Sequence, residues 1–170
     1  MGVTFLKSES RDVDALIGDL QKDDIRFYFS SGHWSLHDLF NALIHKTGPA
    51  RVYLSTFSLS EIAIRSLYNA LREGLILELG CLVDIRVKRH KIGLLNFAGH
   101  LVDTITLANC HAKILILENE EWKVTVVASN NFTVNIRYES GSIITVPGIV
   151  EFYKQCLVEA IKTGIPYKLS

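Results

Sequence analysis

The chain has 170 residues, enough for one domain whose core needs neither disulfides nor a metal. Hydrophobic residues make up 48% and charged residues 21%, which excludes a disordered or collagen-like chain. Lys plus Arg and Asp plus Glu tie at 18 each, so no global positive field gathers nucleic acid or anionic lipid, and any polyanion site must come from local clustering. The mean hydropathy of +0.22 predicts a sheet buried on both faces, an apolar oligomer interface, or both.

Charges interrupt every apolar run before the roughly 18–20 residues that a membrane-spanning helix needs. The N-terminus lacks the basic-then-apolar pattern of a signal peptide. The expectation is therefore a cytoplasmic protein that does not engage a membrane. Cys81, Cys110 and Cys156 are odd in number, far apart and in no C-x-x-C pair. They read as structural thiols rather than a disulfide framework or a zinc site.

Taken in chain order, an acidic, polar opening over 9–24 holds a short helix near 13–20, and 25–30 reads as a strand by its aromatics. Ser35 is an N-cap with Asp38 in capping-box position, and Leu36, Leu39, Phe40, Leu43 and Ile44 mark one helix face. Gly48 and Pro49 end that helix. A strand over 51–56 follows, then a helix capped by Ser58 or Ser60 that runs to Arg72. Strands are predicted over 82–88, 104–107, 111–117, 122–128 and 141–146, with a short helix over 93–101 and a hairpin turn at Asn119. Pro147 opens the last helix, which Gly164 and Pro166 close. This order predicts an α/β fold: one mixed β-sheet with helices on both faces.

The informative stretch runs from Cys110 to Thr133. Strand side chains alternate, so His111 and Lys113 share a side, and so do Ser129 and Asn131 after the turn. If the two strands pair, a His, a Lys, a Ser and an Asn converge at one end of a hairpin. That grouping suits a phosphate: an imidazole can attack phosphorus or pass a proton, while an ammonium and an amide hold oxygens as negative charge develops. On spacing alone, a hairpin carrying a few exposed polar residues fits too.

His111-x-Lys113, an acid at Glu118, and Ser129-x-Asn131-Phe132-Thr133 together resemble the HKD motif of the phospholipase D superfamily. The downstream stretch from Asn135 to Gly141, with Glu139 at the place of that family's second acid, extends the likeness. The motif's usual Asp is Glu118 here, and its usual Gly-Ser is Ala128-Ser129. The resemblance implies a single phospholipase-D-like domain over 1–170, of α-β-α sandwich type, with 25–165 as its core and 1–24 as a polar extension.

It also implies phosphodiester chemistry, most often nuclease-like in small members with one motif. Two histidines share the work, one forming a phosphohistidine and the other acting as acid and then base. No metal or cofactor is called for. One motif per chain then requires a homodimer with a shared site, His111 coming from each protomer. Lys113 and Asn131 would clamp the phosphate, Ser129 would assist, and Glu139 would accept a hydrogen bond from His111. Glu118 would serve structure. A catalytically inactive relative that only binds nucleic acid is the alternative.

Three further features stand apart. Arg86, Lys88, Arg89 and Lys91, with His90 among them, form a basic cluster fit for nucleic-acid phosphates. It could equally be a solvated strand end. Trp34, between His33 and His37 at a helix start, is a candidate for stacking on a base, or for packing at that terminus.

Overall fold

The computed structural model describes residues 2–8, 13–102, 104–133 and 137–168. Asn135 and Ile136 of the downstream stretch, and residues 9–12 of the polar opening, lie outside them. The elements are β1 (Gly2–Ser8), α1 (Val13–Ile17), β2 (Asp24–Ser30), α2 (Leu36–Thr47), β3 (Ala50–Thr56), α3 (Glu61–Arg72), β4 (Ile76–Asp84), α4 (Val87–His90), α5 (Ile92–Leu101), β5 (Ile105–Ala108), β6 (Ile114–Glu118), β7 (Lys123–Ala128), β8 (Glu139–Ile144), α6 (Pro147–Thr163) and β9 (Ile165–Pro166). The strands form one mixed sheet in the order β1-β2-β8-β7-β6-β3-β4-β5-β9. The α/β architecture is the one expected. Among the described residues no helix is long and apolar enough to cross a membrane.

One face of the sheet is covered by α1, α2, α3 and α5. Its core gathers Leu39, Phe40 and Leu43 from α2, Ile64 and Leu67 from α3, and Leu115, Leu117, Val124 and Val126 from the hairpin. The i, i+3, i+4 spacing of α2 buries that stripe completely. Its start is fixed as expected: Asp38 Oδ2 accepts the Ser35 N–H at 2.7 Å. Ser60, not Ser58, caps α3, its hydroxyl accepting the Ala63 N–H at 3.4 Å. Among the described residues, the helix on the other face is α6, seated through Val150 and Leu157 on Tyr53, Leu82 and Ile116. Glu118 pins this helix: its carboxylate pairs with Lys154 of α6 at 2.6 Å and with Lys123 at 3.7 Å.

Four boundaries differ from the sequence reading. Residues 2–8, placed in a polar extension, form β1, which pairs in parallel with β2 along seven residues. The strand expected at 82–88 runs instead from Ile76 to Asp84. It stops because Asp84 turns its carboxylate back on the Arg86 N–H and guanidinium, and the chain closes into the single turn of α4. Gly80 lets this strand pass under Tyr53 and Ile161, where a Cβ would sit 3.0 Å from each. The strand expected from His111 begins in regular form only at Ile114, although the Lys113 carbonyl already accepts the Ala128 N–H at 3.0 Å. The strand expected over 141–146 runs from Glu139 to Ile144.

Candidate active site

The pairing registers bring six strand ends to one edge of the sheet. Ser30 faces Glu139, Ala128 faces Gly141, Ile114 faces Val127, Ser55 faces Ile114, and Thr56 faces Val83. This edge holds the carboxyl ends of the parallel strands β3 and β4, the usual place for ligands in α/β sheets.

His111 and Lys113 meet there. Lys113 Nζ lies 3.1 Å and 3.2 Å from the two ring nitrogens of His111 and donates to the His111 carbonyl at 2.7 Å. The imidazole is exposed while the ammonium is buried. Burial pushes the Lys113 ammonium below the ordinary lysine value, against the pull of Cys110, Glu139 and Asp84. Phe57, which the sequence reading passed over, forms the wall of this pair. Its ring meets His111 edge-on at 5.2 Å, lies 5.8 Å from Lys113 Nζ, and lies 4.5 Å from the Arg86 guanidinium.

Side-chain alternation after β7 divides the polar residues. Ser129 is exposed, and its hydroxyl donates to Glu139 Oε2 while accepting the Ser140 N–H at 3.0 Å. Asn130 points inward, accepting from Tyr28 Oη at 3.0 Å and donating to the Trp34 carbonyl at 3.3 Å. Asn131 is half-buried, and among the described residues its buried Oδ1 has no hydrogen-bond partner. Among the described residues the Glu139 carboxylate, expected to accept from His111, accepts from the Ser129 hydroxyl, which the pairing of β7 with β8 brings beside it.

Two devices set these segments in place, and neither was read from the sequence. Thr56 accepts the Phe132 N–H at 3.0 Å and Ser55 accepts the Ile114 N–H at 3.1 Å, so the end of β3 orders both arms of the site. Asp84, wholly buried, accepts the Cys110 N–H at 2.9 Å and binds Arg86 through both oxygens. Burial alone would raise this carboxyl, but its hydrogen bonds from Arg86 and Cys110 hold it below the usual range. The signal for Asp84 was available: it is the lone charge at the end of the apolar run from Cys81 to Val83.

The basic cluster is split. Arg86 is committed to Asp84 and Phe57. Lys91 reaches the other way, donating to Ser58 Oγ at 2.9 Å and the Leu59 carbonyl at 3.3 Å. With Phe57, Ser60, Asn131, Thr133 and Arg137 it lines a groove of about 410 Å³. Lys88, Arg89 and His90 are exposed on α4. Trp34 is not a stacking platform. It is only 3% exposed and sits edge-on to Tyr28 at 4.7 Å, because the β2–α2 connection tucks it under Asn130.

No family model matches the chain, and no curated protein matches it in sequence. Solved structures do match in fold. A phospholipase D family member, Nuc from Salmonella typhimurium, superposes with a TM-score of 0.63 at 20% identity, over 85% of this chain and 98% of that one. NucT from Helicobacter pylori gives 0.56 at 15% identity, over 84% and 99%. TrmBL2, an archaeal chromatin protein that shows a novel mode of DNA binding, gives 0.55 at 12%, over 92% and 60%. The fold is therefore phospholipase-D-like.

Proposed function

We propose that the chain is a metal-independent phosphodiesterase, a nuclease acting on DNA or RNA, that works as a homodimer with one His111 from each protomer at a shared site. The observation that carries this reading is the Lys113 ammonium held against the exposed His111 imidazole, at the edge where Ser129 and Asn131 emerge. The phospholipase-D-like fold supports it.

His111 of one protomer attacks phosphorus, forming an N–P bond as the P–O bond to the leaving group breaks. His111 of the other protonates that oxygen, then takes a proton from the water that breaks the N–P bond. The sum is one phosphodiester and one water giving a phosphomonoester and an alcohol. Lys113 exchanges its contact with the imidazole for a phosphate oxygen, and Asn131 holds a second oxygen through its amide N–H. Glu139 acts through Ser129, fixing the hydroxyl beside the phosphate.

The test is cleavage of mixed single- and double-stranded DNA and RNA in EDTA, wild type beside His111→Ala. Cutting by wild type alone supports the reading, and equal cutting by both proteins sinks it. A second reading, binding of nucleic acid without cleavage, draws on the exposed Lys88 and Arg89 and on the likeness of fold to TrmBL2. No cutting, joined to binding that weakens steeply with salt, selects it.

A further inference from the structure

Asn130 lies between Ser129 and Asn131, and its side chain goes into the core, 2% exposed. An amide at that depth costs stability unless it is hydrogen-bonded. Two partners meet it, both far away in the chain. Tyr28 Oη donates to its Oδ1 at 3.0 Å, and its Nδ2 donates to the Trp34 carbonyl at 3.3 Å. Tyr28 stands on β2, two strands from β7. Its register partner on β8 is Gly141, which also faces Ala128 of β7. A Cβ at Gly141 would sit 2.6 Å from Tyr28 Oη, so the glycine opens the path by which the phenol crosses β8 to Asn130. Phe132, fully buried, anchors the other side of Asn131. Its N–H goes to Thr56, and its ring lies edge-on to His37 at 6.1 Å and to Phe40 at 6.2 Å. Asn131 is thus held from both sides. Ser129, whose N–H donates to the Ser140 carbonyl at 2.8 Å, shares the Asn130 anchor.

We propose that Asn130, latched by Tyr28, is a positioning residue of the site: it fixes the segment from which Ser129 and Asn131 reach a phosphate. The inference rests on the phosphodiester chemistry proposed above and adds two residues that act through others. An apolar side chain could fill the same space, but it would slide and turn at little cost. Two directional hydrogen bonds instead set both the depth and the rotation of the segment. That placement matters because donors aimed at developing charge work only where they already stand in position. The bond from Tyr28 is also insensitive to pH near neutrality. Burial and the charge of Glu139 push the phenol above its ordinary value, so it remains a neutral donor.

The experiment compares wild type, Tyr28→Phe, and a double variant joining Tyr28→Phe to Asn130→Leu. Each is measured for cleavage of single-stranded DNA and RNA in EDTA and for its urea midpoint. Each is also titrated with orthovanadate, whose five-coordinate form resembles phosphorus under attack. Tyr28→Phe leaves the Asn130 acceptor short of a donor, so its midpoint should fall. The double variant replaces both partners by apolar groups of similar shape, so its midpoint should return towards wild type. Its kcat should nevertheless stay about 100-fold down, with KM within about threefold of wild type, because Ser129 and Asn131 are displaced by ~1 Å. Vanadate should bind about 100-fold more weakly for the same reason. The pH dependence of kcat should keep its shape in Tyr28→Phe. Turnover that recovers together with stability in the double variant would mean that the latch only stabilises the fold, and would overturn the inference. A displaced pH profile would overturn it too, by making Tyr28 a proton carrier. If the double variant does not fold, Tyr28→Phe decides: taken well below its unfolding transition, a lowered kcat supports the latch and a wild-type kcat overturns it. The two readings fail separately. A wild type that cuts nothing but binds vanadate, with that binding lost in the double variant, removes the nuclease and upholds the latch. Cleavage that the double variant retains in full does the reverse. A wild type that neither cuts nor binds vanadate overturns both.

Discussion

The buried carboxylate of Asp84 accepts the backbone N–H of Cys110 at 2.9 Å, one residue before His111. Its oxygens also hold Arg86, whose guanidinium covers the face of Phe57, and Phe57 in turn meets the His111 ring. The imidazole is thus referenced to the end of β4 along two routes, one through the backbone and one through an aromatic wall.

Asp84→Ala removes both routes. A buried N–H left without an acceptor, together with a lost ion pair, should cost about 2–4 kcal/mol of stability. Urea unfolding measures this directly. Below the transition the variant should also lose activity, because a His111 placed ~1 Å off loses on the order of 100-fold. A variant of wild-type stability would show that Asp84 does not organise the edge.

Asp84 also sets a limb of the pH profile. Its carboxyl sits below the usual range when folded, so the unfolded chain binds the proton more tightly. The stability it contributes is fully present above the unfolded value of about 4 and is lost as pH falls through the folded value. The difference in unfolding free energy between wild type and Asp84→Asn should hold steady from about pH 5 to 7 and shrink below about pH 4. A difference unchanged at pH 2 would contradict this assignment.

These devices mark the limit of what the sequence discloses. The faces of α2 and α6 and the β6–β7 hairpin are legible because their periodicity and turn residues act locally, as in Asn119 accepting the Glu121 and Trp122 N–H groups. The contact of Lys113 with His111 is legible for the same reason, being made between residues two apart in the chain. What pairing over long range decides is not legible. β1 takes its place only by lying beside β2, and Glu139 finds Ser129 only through the β7–β8 register. Trp34 looks like an exposed aromatic at a helix start until Tyr28 and Asn130 close over it. Gly141 belongs to the same neighbourhood: a Cβ there would sit 2.6 Å from Tyr28 Oη. Gly141→Ala should cost about 1–3 kcal/mol through overpacking, read as a fall in the urea midpoint at constant slope.

Phe57 offers a cleaner separation of placement from chemistry. Its ring contacts His111, Lys113 and Arg86, and it is only partly buried. Phe57→Leu keeps an apolar wall but loses the aromatic face that the two cations use, a contribution of about 0.5–1 kcal/mol each at exposed sites. Thermal stability should fall only slightly, while turnover falls by about tenfold, the loosening of one aligned group. Phe57→Tyr should restore most of it. Equal losses in both variants would mean the ring serves shape alone.

Lys88 and Arg89 are exposed on α4, outside the Asp84 network that holds Arg86. They therefore provide charge without setting geometry. If they contact backbone phosphates, replacing both by Gln removes two released counterions. The slope of log binding constant against log salt should then flatten by roughly 1.4–1.8, the lower figure for a single strand and the higher for a duplex. Cleavage at saturating substrate should be unaffected, because neither side chain adjoins His111. Binding titrations at several salt concentrations, run with His111→Ala so that the substrate stays intact, give the slope. An unchanged slope would assign polyanion binding to the groove between Lys91 and Arg137 instead, and the same titration on Lys91→Gln would then carry the loss.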